Sequence, residues 1–313
     1  MNDAEVVIVT HDATATKTGM ERVERCIHSV RRYTPGVRII LVHNGADPAP
    51  LRQRCSVWPE VQLISTINRG YGAAVNLGMS ATRSDQVVIM NDDVVVTENW
   101  WSELCAGLHA VDTDRLGAVS PLMLLATADN EVKLINSAGV RLGPDGAGTD
   151  IGYGEPVETA PTAPTAIDIF SGGAVMVRRE MWQSLKGFDT RYFLYYEDVD
   201  LALRGAEAGW CYRLIPSSRV VHAQGATTSA ASHAPLVTFL QERNRLRVAL
   251  RFGTSRQIAG ALWLSIRRLR HPPQALHARA LKSGVGAAPK LLRANWKTRR
   301  KTRWIARGNQ RAQ

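Results

Sequence analysis

Apolar runs that stop abruptly at polar tips recur through the first half of the chain. Glu5-Val6-Val7-Ile8-Val9-Thr10, the run from Val37 to Val42 and the shorter one from Val61 to Ile64 each read as a strand. Met20, Val23, Ile27 and Val30 fall at helical spacing and predict a helix over 20–33, which Pro35-Gly36 ends; a second helix is expected over 73–82. A fourth run, Val87-Val88-Ile89-Met90, halts at Asn91-Asp92-Asp93 before Val94-Val95-Val96 resumes. Strand–helix alternation of this kind predicts an α/β chain with a mostly parallel sheet and its polar strand tips gathered along one edge. Beyond it, 100–110 reads as a helix, and 136–164, rich in Gly, Pro, Thr and Ala, as a long loop free to move. Strand character returns over 167–177 around Gly172-Gly173. A helix is expected from Glu197 to Ala208, with Gly209 as its stop, followed by short strands at 210–216 and 219–222.

Length and charge add an appendage to this picture. The 313 residues exceed one average domain, and the balance of +11 hides a division: residues 243–313 carry 19 of the 39 Lys and Arg and none of the 28 Asp and Glu. Two domains follow, 1–242 and a basic helical extension over 243–313 that calls for an anionic partner. Cys26, Cys55, Cys105 and Cys211 are scattered without a Cys-x-x-Cys pair, which fits reduced thiols and excludes a zinc-thiolate site. No signal peptide is visible at the N-terminus, and Ile258 to Ile266 is far shorter than the roughly 20 residues of a spanning helix.

Two features carry candidate chemistry. Adjacent carboxylates at a strand tip, Asp92 and Asp93, repel unless something positive neutralises them, and a hard divalent cation shared with a diphosphate does so. Glu197, Asp198 and Asp200 fall in the first turn of a helix behind Tyr192, Phe193, Tyr195 and Tyr196. Helix capping and an Asp200–Arg204 pair explain part of that cluster; a carboxylate against aromatic walls is suited to act as a general base toward a bound hydroxyl.

These segments, in order, resemble the family-2 inverting glycosyltransferases of GT-A fold, in their bacterial rhamnosyltransferase-like branch. The match runs over about residues 5–250 and rests on Thr10 after the first strand, Asn68-Arg69-Gly70-Tyr71-Gly72-Ala73-Ala74-Val75-Asn76, Asn91-Asp92-Asp93, Ser171-Gly172-Gly173, Gly187-Phe188-Asp189, Tyr195-Tyr196-Glu197-Asp198-Val199-Asp200 with Arg204, and Val220-Val221-His222. The resemblance implies that Asp93 and His222 hold Mg2+ or Mn2+ and that Asp198, with Glu197 beside it, deprotonates the acceptor. It further implies that Thr10, His43, Asn44, Asn68, Gly70, Asn76, Asn91, Asp92, Gly172 and Arg204 line the donor site. His43 stands where the family usually has an Asp that reads the nucleobase, and Asn91 where many members have the first acid of an Asp-x-Asp motif. The implied reaction is a single displacement that moves a sugar from a dTDP- or UDP-linked donor, of rhamnose or galactofuranose type, to a lipid-linked or polysaccharide acceptor in envelope glycan synthesis.

Two other classes compete. A nucleotidyltransferase would want a Gly-rich basic loop after the first strand, where residues 10–20 hold one Lys and one Gly. A nucleic-acid binder could use Arg299-Arg300-Lys301 with Trp296 and Trp304, though no recognised module precedes them. The mixture of Trp, Leu and Arg over 258–270 and 291–297 suits an anionic bilayer surface better, so the expected location is cytoplasmic, peripheral on the inner face of the membrane.

Overall fold

The computed structural model describes residues 5–11, 16–110, 115–126, 133–222 and 234–298. Arg299, Arg300, Lys301 and Trp304 lie outside them. The elements run β1 (Glu5–Thr10), α1 (Lys17–Tyr33), β2 (Arg38–Asn44), α2 (Ala49–Cys55), β3 (Val61–Thr66), α3 (Tyr71–Ser80), β4 (Gln86–Asn91), β5 (Val94–Val96), α4 (Trp100–His109) and β6 (Leu116–Leu125). They continue with β7 (Leu134–Ser137), β8 (Val140–Leu142), β9 (Gly148–Asp150), β10 (Thr165–Ile167), β11 (Ala174–Arg178), α5 (Arg179–Ser184), α6 (Glu197–Glu207) and β12 (Cys211–His222). Four helices close the described chain: α7 (Ala234–Phe252), α8 (Ser255–Arg268), α9 (Gln274–Gly286) and α10 (Ala288–Thr298).

The main sheet has the order β10-β12-β6-β11-β4-β1-β2-β3, with β5 paired to β12 and β7 to β6. β1 to β4 are mutually parallel where they pair, β11 runs antiparallel between β4 and β6, and β12 is parallel to β6. Successive connections change direction between β1 and β4, and at such a reversal a crevice opens beyond the carboxyl ends of the strands. Alternation along each strand builds two cores. Val6, Ile8, Ile39, Leu41, Val88 and Met90 pack on one face with residues of α1 and α4, while Val7, Val9, Ile40, Val42, Val87 and Ile89 pack on the other with residues of α3, α6 and α7. Thr34 takes the indole N–H of the wholly buried Trp100 (2.9 Å), so the largest side chain in the first core has no unmet donor.

Several expectations need correction. The stretch 136–164 is an ordered wall: β7 joins β6, and β8 and β9 form a hairpin. Arg245 Nη1 holds that hairpin by donating to the Asp145 carbonyl (2.6 Å), and the Gly148 N–H donates to the Tyr196 hydroxyl (3.0 Å). Small residues there permit close approach to other elements, which sequence composition alone reads as looseness. The two strands expected over 210–222 are one, β12, with a register irregularity between Ile215 and Arg219. The compositional border at 242/243 lies inside α7, whose Val248 and Phe252 belong to the second core. Four cysteines are free thiols, and no helix among the described residues is long and apolar enough to cross a membrane.

Candidate active site

At the carboxyl end of β4 the chain turns through Asp92 and Asp93, and the two carboxylates part company. Asp92 points inward. Its Oδ2 accepts from Thr10 Oγ1 (2.5 Å) and Arg22 Nη2 (3.0 Å), and its Oδ1 accepts from Arg22 Nε (3.1 Å). A bidentate guanidinium from α1 therefore supplies the positive charge expected of a cation, and Asp92 and Thr10 form a structural clasp instead of donor contacts.

Asp93 faces the other way, toward the end of β12. The register that sets Val94 opposite His222 brings His222 Nε2 to 3.1 Å from Asp93 Oδ1. That oxygen is buried and lacks a properly directed hydrogen bond. His222 Nδ1 lies 3.1 Å from Asn136 Oδ1 on β7. With Nδ1 donating there, Nε2 turns a lone pair toward a carboxylate, an arrangement that needs a proton or a cation between the two atoms. Burial pushes the imidazole toward neutrality, and the Asp93 carboxylate 3.1 Å away outweighs it, so its pKa is raised. A separation of about 3 Å is also what two neighbouring ligands of an octahedral Mg2+ or Mn2+ show. The donor set fits. Among the described residues no three His, Cys, Asp or Glu side chains converge on one point, so a cation here would draw its remaining ligands from substrate and water.

The second half of the site is the start of α6. Phe193, Tyr195 and Tyr196 all have positive φ (69°, 67° and 71°), a costly conformation for aromatic residues, at about 1–3 kcal/mol each. Neighbours impose it. Asn244 Nδ2, from α7, donates to the carbonyls of Tyr192, Leu194 and Tyr195 (3.0, 2.9 and 2.8 Å), and the Tyr71 N–H donates to the Phe193 carbonyl (2.7 Å). A Cβ at Gly70, itself at φ 93°, would lie 2.2 Å from that same carbonyl oxygen, so only glycine fits. Gly70 is thus a packing position. Asn44 and Asn68 hold its turn: Asn44 Nδ2 donates to the Gly70 carbonyl and to Asn68 Oδ1 (both 3.3 Å), and Asn68 Oδ1 accepts from the Gly70 N–H (2.9 Å).

The strained loop delivers Glu197 and Asp198 into a cleft of about 520 Å³ that also contains Tyr71, Asn91, Gly172, Asp150 and His222. Asp198 is fixed through both oxygens, Oδ2 accepting from the Gly172 N–H and Oδ1 from the Val199 N–H (2.8 Å each). A Cβ on Gly172 would sit 3.1 Å from that of Asp198, which makes Gly172 a brace for the carboxylate. Burial raises the Asp198 pKa against these two N–H groups, and Asp150 adds to the rise. Glu197 is pushed up to about 8 by burial first and then by Asp198 and Asp200; its Oε2 is buried without a partner. Of the two, Asp198 is the one whose oxygens meet N–H donors, the hydrogen bonding that favours a carboxylate.

Three more expected donor residues stand away from the cleft, as Thr10, Asn44, Asn68, Gly70 and Asp92 do. His43 is fully enclosed. Arg204 donates to Asp200 (2.6 Å) and to the carbonyls of Leu185 and Gly187 (2.6 and 2.8 Å), while Asn76 exchanges two hydrogen bonds with the backbone of Phe188 (2.9 Å each). Both pin the turn before α6. Sequence reasoning missed Arg22, Asn136, Asp150, Asn244 and Arg245, none of which stands in a recognisable pattern; Arg22 reads as one more charge on an amphipathic helix.

The profile described as Glycosyl transferase family 2 matches residues 5–118. The N-acetylglucosaminyl-diphospho-decaprenol L-rhamnosyltransferase of Mycobacterium tuberculosis is 30% identical over 236 residues, which cover 66% of this chain and 76% of that protein. Rhamnosyltransferase WbbL of Escherichia coli (strain K12) is 24% identical over 196 residues, covering 58% and 72%. Among solved structures, GalNAc-T7 with UDP, GalNAc and Mn2+ superposes with a TM-score of 0.67 at 17% identity, over 95% of this chain and 55% of that one; this likeness speaks for the GT-A fold alone.

Proposed function

The chain belongs to glycosyltransferase family 2, and on that premise we propose that it is an inverting, metal-dependent transferase that moves L-rhamnose or a related sugar from a nucleotide-diphosphate donor to a hydroxyl of a lipid-linked acceptor in cell-envelope glycan synthesis. The observation that carries the reading is the pairing, in one cleft region, of a lone-pair-rich Asp93–His222 site with a braced, ionisable Asp198. Bound Mg2+ or Mn2+, held by Asp93 and His222, would neutralise the diphosphate as it leaves. Asp198 accepts the proton of the acceptor hydroxyl, whose oxygen bonds to the anomeric carbon on the face opposite the breaking bond to the diphosphate. The Gly172 and Val199 N–H groups keep that carboxylate oriented while each oxygen retains a second lone pair for the proton. Asn91 lines the same cleft and would contact the donor.

Lipid-linked acceptors call for a membrane-facing surface, and α8 and α10 offer one. Trp263, Ile266, Leu292 and Trp296 are exposed on helices without a single acid, in a region where Arg267 stacks over Trp263 at 5.4 Å. Side chains of this kind enter the head-group boundary while Arg and Lys attract acidic lipid. On that chemistry we propose peripheral attachment, at the cytoplasmic face.

The test is metal-dependent consumption of nucleotide-sugars, screened with dTDP- and UDP-linked donors, by the full chain and by Asp198→Asn. The full chain should turn over at least one donor in the presence of Mn2+. Asp198→Asn should bind that donor and turn over about 10² to 10⁴ times more slowly. Equal turnover by the two proteins refutes the assignment of the base.

A further inference from the structure

We propose that the wall of the cleft supplied by α7 and α8 is a second anion site, in which Arg268, backed by the fixed charge of Arg245, holds the diphosphate of a prenyl-diphosphate-linked acceptor. The inference rests on the transferase reading above only for the identity of the acceptor; the site itself stands on geometry.

Gln241, Glu242 and Arg245 of α7 and Arg268 of α8 line the same cleft as Asp198. Glu242 is the last acid in the sequence and it is shared: Arg245 Nη2 lies 3.3 Å from one of its oxygens, and Arg268 Nη1 pairs with the other. Two guanidiniums on one carboxylate leave an excess positive charge in a confined space. The Arg245 side chain is 2% exposed, yet its Nε has no hydrogen-bond partner. Its remaining donors are committed to the Asp145 carbonyl (2.6 Å), the Ala261 carbonyl (3.3 Å) and Ser265 Oγ (2.6 Å), which fix the guanidinium in place. Arg268, 37% exposed, is the half of the pair that a ligand can reach.

The chemistry of the ligand follows. On the transferase reading the Asp93–His222 site belongs to the donor, whereas the α7–α8 wall lines the cleft with the guanidiniums of Arg245 and Arg268. Planar guanidiniums match phosphate oxygens bidentately and can neutralise a second diphosphate.

The experiment is calorimetric titration of the full-length protein with farnesyl diphosphate, without donor and with EDTA present. Wild type should bind farnesyl diphosphate and not farnesol. Arg268→Ala should weaken binding at least tenfold, Arg268→Lys less, and Arg270→Ala not at all, because Arg270 is not part of the cleft wall. Glu242→Gln should tighten binding by removing the competing carboxylate, an effect of opposite sign that a purely structural ion cluster would not give. Thermal unfolding of each variant identifies any that fails to fold. Wild-type affinity in Arg268→Ala, equal loss in Arg270→Ala, or equal binding of farnesol overturns the proposal. Donor binding with Mn2+, measured on the same samples, separates the two ideas: its absence refutes the transferase reading and leaves the farnesyl diphosphate contrasts to stand or fall alone.

Discussion

Replacing Glu197 by Gln removes a carboxyl that the fold holds in its neutral form at a pH where an unfolded chain would ionise it. Burial, Asp198 and Asp200 lift its pKa from 4.5 to about 8. At 1.36 kcal/mol per unit, the folded state disfavours the charged form by about 5 kcal/mol. The sign follows from proton linkage. Between the unfolded and folded values the native protein binds a proton that the unfolded chain has released, so stability falls as pH rises, by about 1.4 kcal/mol per unit, and levels off above the folded value. Most of the window from pH 6 to pH 9 lies on that slope, and wild type should lose about 3 kcal/mol across it through this one group. Glutamine has the same shape and no charge, so Glu197→Gln should lack that loss and overtake wild type at alkaline pH. Urea unfolding of both proteins at pH 6 and pH 9 measures the difference of differences. Parallel pH slopes in the two proteins would refute the reasoning, since they would mean that Glu197 is ionised in the native cleft at ordinary pH.

Three further outcomes are expected. Asp93→Ala should abolish the tightening of nucleotide-diphosphate binding by Mn2+, measured by calorimetry with and without the metal; persistence of the tightening would remove Asp93 from the cation site. Arg22→Met leaves Asp92 buried and unpaired and should cost about 3–5 kcal/mol, with Asp92→Asn recovering part of it; a double-mutant cycle with no coupling energy contradicts the clasp. Asn244→Ala frees three carbonyls that hold a strained loop, and should destabilise the protein by about 1–3 kcal/mol while lowering kcat more than it raises the donor KM. A change in KM alone would mean that Asn244 does not act through Asp198.

Whatever depends on strand periodicity was legible in the chain. β1, β2 and β4 read as apolar runs because they are buried on both faces, whereas β3, an edge strand interrupted by Gln62, is half-exposed; of the strand tips, Asn91 at the end of β4 lines the cleft. Asp198 was legible through its aromatic neighbours. By contrast, Asp92 and Asp93 are equivalent in sequence, and only the turn after β4 sends one to Arg22 and the other to His222. Asn244 sits among arginines in a helix whose partner carbonyls lie about 50 residues away, so no local pattern could announce it. The hairpin of β8 and β9 failed for a similar reason: its anchors, Tyr196 and Arg245, are on elements far along the chain, and a Gly- and Pro-rich stretch shows nothing of them.

Asn244 also bears on where this protein can be cut. Charge changes sharply after Glu242, and a fragment ending there would keep every acid and every recognisable motif, yet it would have nothing to hold Tyr195 and Tyr196 in the left-handed turn that aims Asp198. Ending after Gly253 preserves that hold, but it removes the Asn295 hydrogen bonds to the last turn of α7, the Ala261 and Ser265 partners of Arg245 and the apolar side chains packed on Leu246 and Leu250. Chemistry and basic surface are divided between the faces of one helix, one side turned to the catalytic loop and the other to α8, α9 and α10, so no point along the backbone at that border severs them cleanly.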